Sequence, residues 1–325
     1  MQPTTAIVPQ SRVREEAAPR VAGGSRDSAA SADLVLLAAI TLWALNYSVV
    51  KFGVTQLNPL AFPVIRFGLG GLALLAILRL REGSIGVRRA DLPLLALTGF
   101  LGITLSQVFF VFALTKTGAS DMALLGASGP VATALLATAV GIERLGRRHW
   151  LALAVALAGT LLIVAGTPGA GFGGSGLLGD GLALGNVLVS SASAIPILPL
   201  LRRYSPLRIL TYEMLIGTAI LVPVALPELA SQDYAAVSTA GWASLAYAAV
   251  FAGIATNLLY FTGIGRVGPS RAAVFQYLQS FLGVGFAVLL LREEVSVIQL
   301  VGGGVVVGGV MLSRMPRPHR RSRMP

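Results

Sequence analysis

A face of polar and aromatic side chains interrupts an apolar segment near the start of the chain. Trp43, Asn46 and Tyr47 are spaced i, i+3 and i+4, so they share one face of a helix. Two aromatic rings and an amide near the middle of a membrane span are suited to bind a small molecule, so we interpret this face as a cavity wall. The alternative is that Asn46 makes an ordinary hydrogen bond between helices. Lys51, at the end of the segment, is expected to snorkel to the lipid headgroups, or else to attract a carboxylate at the cavity mouth.

Arg66 and Glu213 lie inside apolar segments, where charged residues are rare. A lone charge at the membrane centre costs about 2.5 to 3.5 kcal/mol on insertion scales. Each is therefore expected to face protein, water or an opposite charge. Two interpretations remain open: the two residues pair across the bundle as a structural lock, or they contact a substrate or a coupling proton.

Further amides and aromatic rings occupy equivalent places on later segments. Gln107 and Phe110 align with Asn257 and Tyr260, while Gln276 and Gln279 share a face of another segment. We interpret these as pocket residues, with hydrogen bonding between helices as the alternative. The predicted cavity-lining residues are Trp43, Asn46, Tyr47, Arg66, Gln107, Phe110, Glu213, Asn257, Tyr260, Gln276 and Gln279.

Prolines inside apolar segments predict helix breaks that serve in gating. Pro130 follows a glycine, and Pro196 and Pro199 follow a serine-rich stretch. Such breaks are tolerated where they line a cavity or where neighbours satisfy the freed backbone groups. Capping of a simple kink by the serines is the alternative for Pro196 and Pro199.

Several kinds of chemistry find no support in the sequence. The chain has no cysteine, and its two histidines lie beside arginines outside the apolar segments. We therefore expect no metal, no cofactor and no catalytic cluster, so the chain is not predicted to be an enzyme. The glycine-rich stretch "GTPGAGFGGSG" lacks the GK[ST] ending of a phosphate loop, so direct use of ATP has no support.

The composition is that of a polytopic membrane protein. Of the 325 residues, 55% are hydrophobic and 12% are charged, and the apolar residues come in blocks near the length of a membrane-spanning helix. An all-α fold of ten transmembrane helices around a central cavity is predicted. Their ranges are 33–54, 60–78, 92–114, 121–142, 150–165, 179–201, 207–226, 240–264, 272–291 and 298–312.

The arginines and lysines predict the orientation of these helices. Twenty-one arginines lie in the two terminal tails and in the loops after the second, fourth, sixth and eighth predicted helices, while the opposite side holds only Lys51, Lys116 and Arg292. Basic residues stay on the cytoplasmic side, so both termini are expected in the cytoplasm. Residues 1–32 and 313–325 are predicted to be a disordered tail and a basic tail. The net charge of +11 is thereby explained without nucleic acid as a partner.

The two halves of the chain resemble each other. An offset of 150 residues aligns Glu143 with Glu293 and Ser106–Leu114 with Thr256–Ile264, and an offset of 147 aligns Arg66 with Glu213. Two five-helix repeats are predicted, at 33–166 and 179–312, joined by a glycine-rich linker at 167–178. Because five is odd, the repeats insert in opposite orientations, as in many secondary transporters. Within the tenth predicted helix, Gly304 and Gly308 have the spacing typical of close helix packing.

The chain resembles the EamA family of the drug/metabolite transporter superfamily. The resemblance is carried by "WALNYSVVK", "PLAFPVIR", "GASDMALLGASGPVATALLATAVGIERL" and "GPSRAAVFQYLQSFLGVGFAVLLLREEV". It implies ten helices around a cavity and export of small metabolites, with amino acids as a frequent cargo. The family's motif residues fall on Trp43, Asn46, Lys51, Pro59, Arg66, Pro130, Glu143 and Glu293. Ser280 stands where the family often has proline, and Glu213 is unusual for the seventh helix.

The predicted function is therefore secondary export of small metabolites, most often amino acids with hydrophobic or aromatic side chains, by alternating access across a bacterial inner membrane. An exchanger of phosphorylated metabolites or nucleotide sugars is the first alternative, and an intramembrane enzyme or a structural subunit comes after it. The expected partners are a small-molecule substrate and the lipid bilayer, with the chain as a monomer or homodimer.

Overall fold

The computed structural model describes residues 26–141, 147–167, 175–267 and 269–314, which are helical throughout apart from short connections and contain no strand. A chain this apolar satisfies its backbone hydrogen bonds within each segment by forming helices. Outside the described residues lie 1–25 and 315–325 of the predicted tails (1–32 and 313–325), most of the predicted linker, and Glu143. Residues 26–32, predicted to be part of a disordered tail, are helical.

The helices follow the predicted segments closely. They are α1 (Arg26–Gln56), α2 (Ala61–Glu82), α3 (Arg89–Lys116), α4a (Ala119–Gly126), α4b (Gly129–Ala139), α5 (Arg147–Gly166), α6 (Ser175–Leu200), α7 (Pro206–Ser231), α8 (239–267), α9 (Pro269–Leu291) and α10 (Val297–Arg314). Within the described part of the chain, six helices are long and apolar enough to cross a membrane, or seven if α4a and α4b form one span. The molecule is thus an all-helical, multi-pass membrane protein.

Helix starts follow ordinary capping rules. Ser205 precedes α7, and its hydroxyl accepts a hydrogen bond of 3.1 Å from the Arg208 N–H, with Pro206 in the first turn. Ser238 precedes α8 and its hydroxyl accepts at 3.1 Å from the Gly241 N–H. Serine before the first turn and proline within it are both favoured at helix N-termini, so these polar loop residues position the membrane helices.

The fourth predicted helix, over 121–142, is bent. Helix α4a ends at Gly126, α4b begins at Gly129, and their axes differ by 45°. Pro130 lies in the first turn of α4b, where its missing N–H breaks no helical bond. The break predicted at Pro130 is therefore present, just before the proline.

The break predicted at Pro196 and Pro199 is absent. Helix α6 continues through both residues and ends at Leu200. Both prolines lie in the last turns, where each removes one backbone hydrogen bond without disrupting the rest of the helix. The two prolines also do not line the large cavity.

Two π-helical turns occur at matching places in the two halves. One covers Phe100–Leu105 in α3, and the other covers Ala248–Ala255 in α8. Adding 150 to the first range gives 250–255, and ordinary α-helix resumes at Ser106 and at Thr256, which are also 150 residues apart. The offset that aligns the sequence halves thus also aligns these local irregularities, which are rare and often occur at functional sites.

Glycines allow two antiparallel helix pairs to pack closely. In α2 and α7, Gly71 meets Leu215 and Gly68 meets Thr218. In α5 and α10, Gly159 lies against Val306 so tightly that an added Cβ would be 2.6 Å from the Val306 backbone nitrogen. Gly304 and Gly308, by contrast, have no atom within 4 Å of an added Cβ. The predicted close packing of α10 is therefore present, but glycines of α10 other than Gly304 and Gly308 make the contacts.

Candidate functional site

A cavity of about 700 Å³ lies between helices of the two halves. Helices α1, α2, α3 and α4 contribute from the first half, and α6, α7, α8 and α9 from the second. The predicted residues that line it are Trp43, Asn46, Tyr47, Arg66, Gln107, Phe110, Pro130, Glu213, Asn257 and Gln279. Its size is within the range of pockets that enclose small molecules.

Among the predicted cavity residues whose side chains are described, Tyr260 does not line this space. Tyr260 packs its ring against Trp43 with a centroid distance of 5.3 Å and so supports the cavity wall from behind. The side chain of Gln276 lies outside the described residues. Trp43 thus presents one wall to the cavity and contacts α8 through the Tyr260 ring.

Tyr47 joins three helices at the cavity. Its ring lies 6.1 Å from that of Phe110 on α3, and its hydroxyl accepts a hydrogen bond of 3.3 Å from Gln279 Nε2 on α9. The absence of a side chain at Gly126 makes room for this hydroxyl, because an added Cβ would lie 3.1 Å from it. The contact fixes an aromatic face and an amide beside each other.

The amide side chains on the cavity wall differ in their hydrogen-bond partners. Asn257 Nδ2 donates to the Gly253 carbonyl at 2.8 Å, within its own helix, so this side chain does not act as a hydrogen bond between helices. Asn46 Oδ1 and Gln107 Oε1 are buried and have no hydrogen-bond partner. A buried acceptor without a donor is costly, so these two oxygens lack the compensation that Asn257 has.

Arg66 and Glu213 line the same cavity but do not pair. Arg66 is 6% exposed and Glu213 is 9% exposed. Arg66 Nε donates to the Ala248 carbonyl at 3.1 Å, and its guanidinium lies 4.6 Å from the centre of the Phe67 ring. No ion pair within 4.0 Å joins the two residues in the described part of the chain, and no hydrogen bond there reaches the Glu213 carboxylate. The structural-lock interpretation is therefore wrong for this conformation.

The Glu213 carboxylate depends on a glycine in α3. An added Cβ at Gly102 would lie 2.0 Å from Glu213 Oε1, so a side chain there would displace the carboxylate. Gly102 belongs to the π-helical turn of α3. The irregular turn and its glycine together make room for a charged group on the cavity wall.

Four polar residues of α6 and α3 that were not predicted from the sequence also face the cavity. Asn186, Ser190 and Ser191 line it from α6, and Ser106 lines it from α3. Asn186 Nδ2 donates to the Ser106 carbonyl at 2.8 Å, and Ser191 Oγ donates to the Gly129 carbonyl at 3.2 Å. The spacing of 186 and 190 by one helical turn was the available signal, because polar residues four apart share a helix face.

A second polar region lies at the end of the bundle where α1 and α3 end, around a cavity of about 490 Å³. Lys51 Nζ donates to the Leu114 carbonyl at 2.7 Å and also to the Thr117 carbonyl. Glu293, after α9, accepts from the N–H groups of Ala119 and Ser120 at 2.8 and 2.9 Å. Lys51 thus holds the free carbonyls at the end of α3, and Glu293 holds the free N–H groups at the start of α4a.

Two buried carboxyl groups share one hydroxyl in this region. Thr117 Oγ1 lies 2.9 Å from Asp121 Oδ2 and 2.8 Å from Asp180 Oδ1. A hydroxyl has one proton, so Thr117 can donate a hydrogen bond to only one of the two carboxyl groups. The second contact is a hydrogen bond only if the second carboxyl group is protonated and donates to the Thr117 oxygen. Asp121 also accepts from Gln299 Nε2, whereas Asp180 Oδ2 has no partner. The pattern favours a proton on Asp180 over one on Asp121.

Comparison with known proteins identifies the fold around this cavity. The model of the EamA-like transporter family matches residues 30–165 and 177–315, which is most of the chain. The chain belongs to the EamA-like transporter family. The resemblance found in the sequence motifs is therefore confirmed.

Relatives of this EamA-like transporter match it over most of its length. It is 28% identical to a protein of Streptantibioticus cattleyicolor named "Probable terminal-alkyne amino-acid exporter", over 83% of this chain and 92% of that one. It is 22% identical to the uncharacterized transporter YetK of Bacillus subtilis, over 86% and 85% of the two chains. A solved crystal structure has the same fold, with a TM-score of 0.60, 18% identity and coverage of 88% and 96%. Both named relatives carry the name of a transporter or an exporter, which is consistent with the prediction that the chain is not an enzyme.

Proposed function

We propose that this EamA-like transporter exports small metabolites, foremost amino acids, across the bacterial inner membrane by alternating access. The observation that carries the proposal is the cavity of about 700 Å³, which is built from both halves of the chain and lined by aromatic rings and amides. Apolar and aromatic walls with a few polar groups are typical of small-molecule sites. The name of the Streptantibioticus relative supports amino acids as the cargo.

The proposed mechanism rests on two inverted five-helix repeats, at 33–166 and 179–312, joined by the linker 167–178. The matched π-helical turns of α3 and α8 support this arrangement. The antiparallel contacts of α2 with α7 and of α5 with α10 also support it, because helices that correspond under an inverted repeat run in opposite directions. Such a molecule has two nearly equivalent packings, each open to one side.

The hydrogen bonds of Lys51 and Glu293 supply the closed end in this mechanism. The charge pattern supports an outer location for that end, with both terminal tails, 1–32 and 313–325, in the cytoplasm. The same bonds must break when the cavity opens outward. A monomer provides the complete cavity, and a homodimer is compatible with it.

The charges of the cavity disfavour phosphorylated cargo. Among the described lining residues, Arg66 and Glu213 are the charged ones, and their formal charges cancel. A phosphate group carries up to two negative charges and is usually held by more than one cationic side chain. An exchanger of phosphorylated metabolites or nucleotide sugars is therefore the weaker candidate.

Flux measurements with a blocked cavity test the proposal. Purified protein in proteoliposomes is expected to move labelled phenylalanine and leucine, and Gly129→Leu is expected to abolish this flux. Gly129 lines the cavity, and an added Cβ there has no atom within 4 Å, so a larger side chain at this position starts in open space on the cavity wall. Gly181→Leu is the matched control, because Gly181 is an exposed helical glycine with equally open surroundings. Equal flux in the two variants, or no amino-acid flux in the folded wild type, contradicts the proposal.

A further inference from the structure

Two opposite charges line one cavity without touching each other or being neutralised by neighbours. Arg66 makes one hydrogen bond, through Nε, so its terminal nitrogen atoms have no hydrogen-bond partner among the described residues. The Glu213 side chain has none there at all, although it is nine-tenths buried. Burying an ion without compensation is expensive. Each group is thus set up to receive an opposite charge from a molecule in the cavity.

The packing of α2 against α7 sets the two charges at different depths. Gly71 lies opposite Leu215 and Gly68 lies opposite Thr218, so the residue numbers of two facing positions add to 286. Arg66 is therefore level with position 220, seven residues from Glu213, which corresponds to about 10 Å along the helix axis. Arg66 lies near the start of α2, whereas Glu213 is level with position 73, near the middle of α2. A small molecule between the two side chains can contact both.

The neutral polar groups of the wall suit one end of such a molecule. Asn46 Oδ1 and Gln107 Oε1 are buried acceptors without donors, and both residues line the cavity. An ammonium group has three donors and no acceptor, so it can satisfy a carboxylate and amide oxygens together. A carboxylate has only acceptors and needs donors such as the guanidinium of Arg66.

We propose that Arg66 and Glu213 bind the two charges of a zwitterion, with the substrate carboxylate on Arg66 and the substrate ammonium on Glu213. This inference rests on the proposed transport function and specifies its cargo as amino acids whose amino and carboxyl groups are both free. In the proposed orientation, the carboxylate points toward the outer side and the ammonium toward the cytoplasm. The side chain of the amino acid then contacts the aromatic wall at Trp43 and Tyr47.

This site discriminates against molecules that carry one charge. An amine without a carboxylate leaves Arg66 without an anion, and an acid without an amino group leaves Glu213 without a cation. Phosphate esters bring two negative charges close to Glu213. Sites with buried polar groups reject analogues that lack the matching group, because those groups are then left unsatisfied.

Binding to three related compounds tests the assignment. The probes are L-phenylalanine, L-phenylalanine methyl ester and N-acetyl-L-phenylalanine, measured by competition with labelled phenylalanine and by counterflow in proteoliposomes. Wild-type protein is expected to bind phenylalanine about tenfold or more tightly than either analogue. Equal affinity for all three overturns the zwitterion site but leaves amino-acid transport intact. Failure of the folded wild type to bind or move any of them instead contradicts the proposed function.

Two charge-removing variants should give crossed results. Glu213→Gln is expected to lose the preference for phenylalanine over the N-acetyl compound but to keep it over the methyl ester. Arg66→Gln is expected to do the reverse, with Arg66→Lys retaining part of the wild-type preference if the glutamine variant does not fold. If either residue has only a structural role, its substitution weakens the binding of all three compounds equally. That result overturns the proposal, and so does unchanged selectivity. Arg81→Gln and Glu294→Gln remove exposed charges and serve as matched controls.

Discussion

The Glu293 carboxylate accepts hydrogen bonds from both the N–H and the hydroxyl of Ser120, at 2.9 and 2.6 Å. The two residues are 173 positions apart in sequence, so the bonds join the end of one half of the chain to the middle of the other. A carboxylate at a helix N-terminus satisfies free donors and interacts favourably with the helix dipole. These bonds therefore hold α4a against the end of α9.

Removing this contact should destabilise the closed outer end. Glu293→Ala is expected to cost about 1.5 to 3 kcal/mol, the range for hydrogen bonds to a charged group. The chain has no cysteine, so a single Thr133→Cys change in the cavity wall gives a specific label site. Labelling of Cys at this site by an impermeant maleimide from outside should be faster when Glu293→Ala is added. Glu294→Ala, at the exposed neighbour, should leave the rate unchanged; equal acceleration by both variants contradicts this role of Glu293.

A proton on Asp180 predicts different effects of two substitutions there. Asp180→Asn keeps a donor for Thr117 Oγ1, so its stability should stay close to that of the wild type. Asp180→Ala removes the group and leaves a buried cavity, which should lower stability by about 1 to 3 kcal/mol. Thermal unfolding of the detergent-purified proteins measures both. A loss for Asp180→Asn as large as that for Asp180→Ala would instead indicate an ionised Asp180.

The fold was largely predictable from the sequence, because hydrophobic segments of membrane length are a strong signal. A break between α4a and α4b was predicted at Pro130, but its angle of 45° was not, since "GASGP" lies inside a continuous apolar segment. The π-helical turns were also missed, because no residue type specifies them. The two turns nevertheless lie 150 residues apart, which is the offset that aligns the two halves of the sequence.

The candidate site was predictable in composition but not in its contacts. Burial of Arg66 and Glu213 follows from their apolar surroundings, whereas their separation depends on how α2 and α7 are shifted along each other. The space that Gly102 leaves for Glu213 depends on the contact between α3 and α7, which local sequence does not show. For the same reason, the sequence did not show that Gly302, and not the predicted Gly304, packs against α5. Many glycines occur in α10, and the rotation of the helix decides which ones meet α5.

Gly159 and Gly304 offer a direct test of that helix packing. Gly159→Ala places a Cβ 2.6 Å from the Val306 nitrogen and 2.7 Å from the Gly302 carbonyl oxygen, both backbone atoms that cannot rotate away. A destabilisation of about 1 to 3 kcal/mol is expected from overpacking. Gly304→Ala meets nothing within 4 Å and should be neutral or slightly stabilising through helix propensity. Thermal unfolding that ranks the two variants in the opposite order contradicts the packing of α5 on α10.

Gly102→Ala tests whether the position of the Glu213 carboxylate matters for substrate binding. The added methyl group would lie 2.0 Å from Glu213 Oε1, the end of a flexible side chain, so the carboxylate must move while the helices stay in place. We therefore expect a higher KM for phenylalanine, about tenfold if one charged hydrogen bond is lost, with little change in thermal stability. Shortening the acid in the double variant Gly102→Ala/Glu213→Asp should recover part of the affinity, because the shorter side chain leaves room for the methyl group. Gly181→Ala is the control for an added methyl group on an exposed helix face. If Gly102→Ala instead lowers stability and leaves KM unchanged, the glycine serves helix packing and not the placement of the carboxylate.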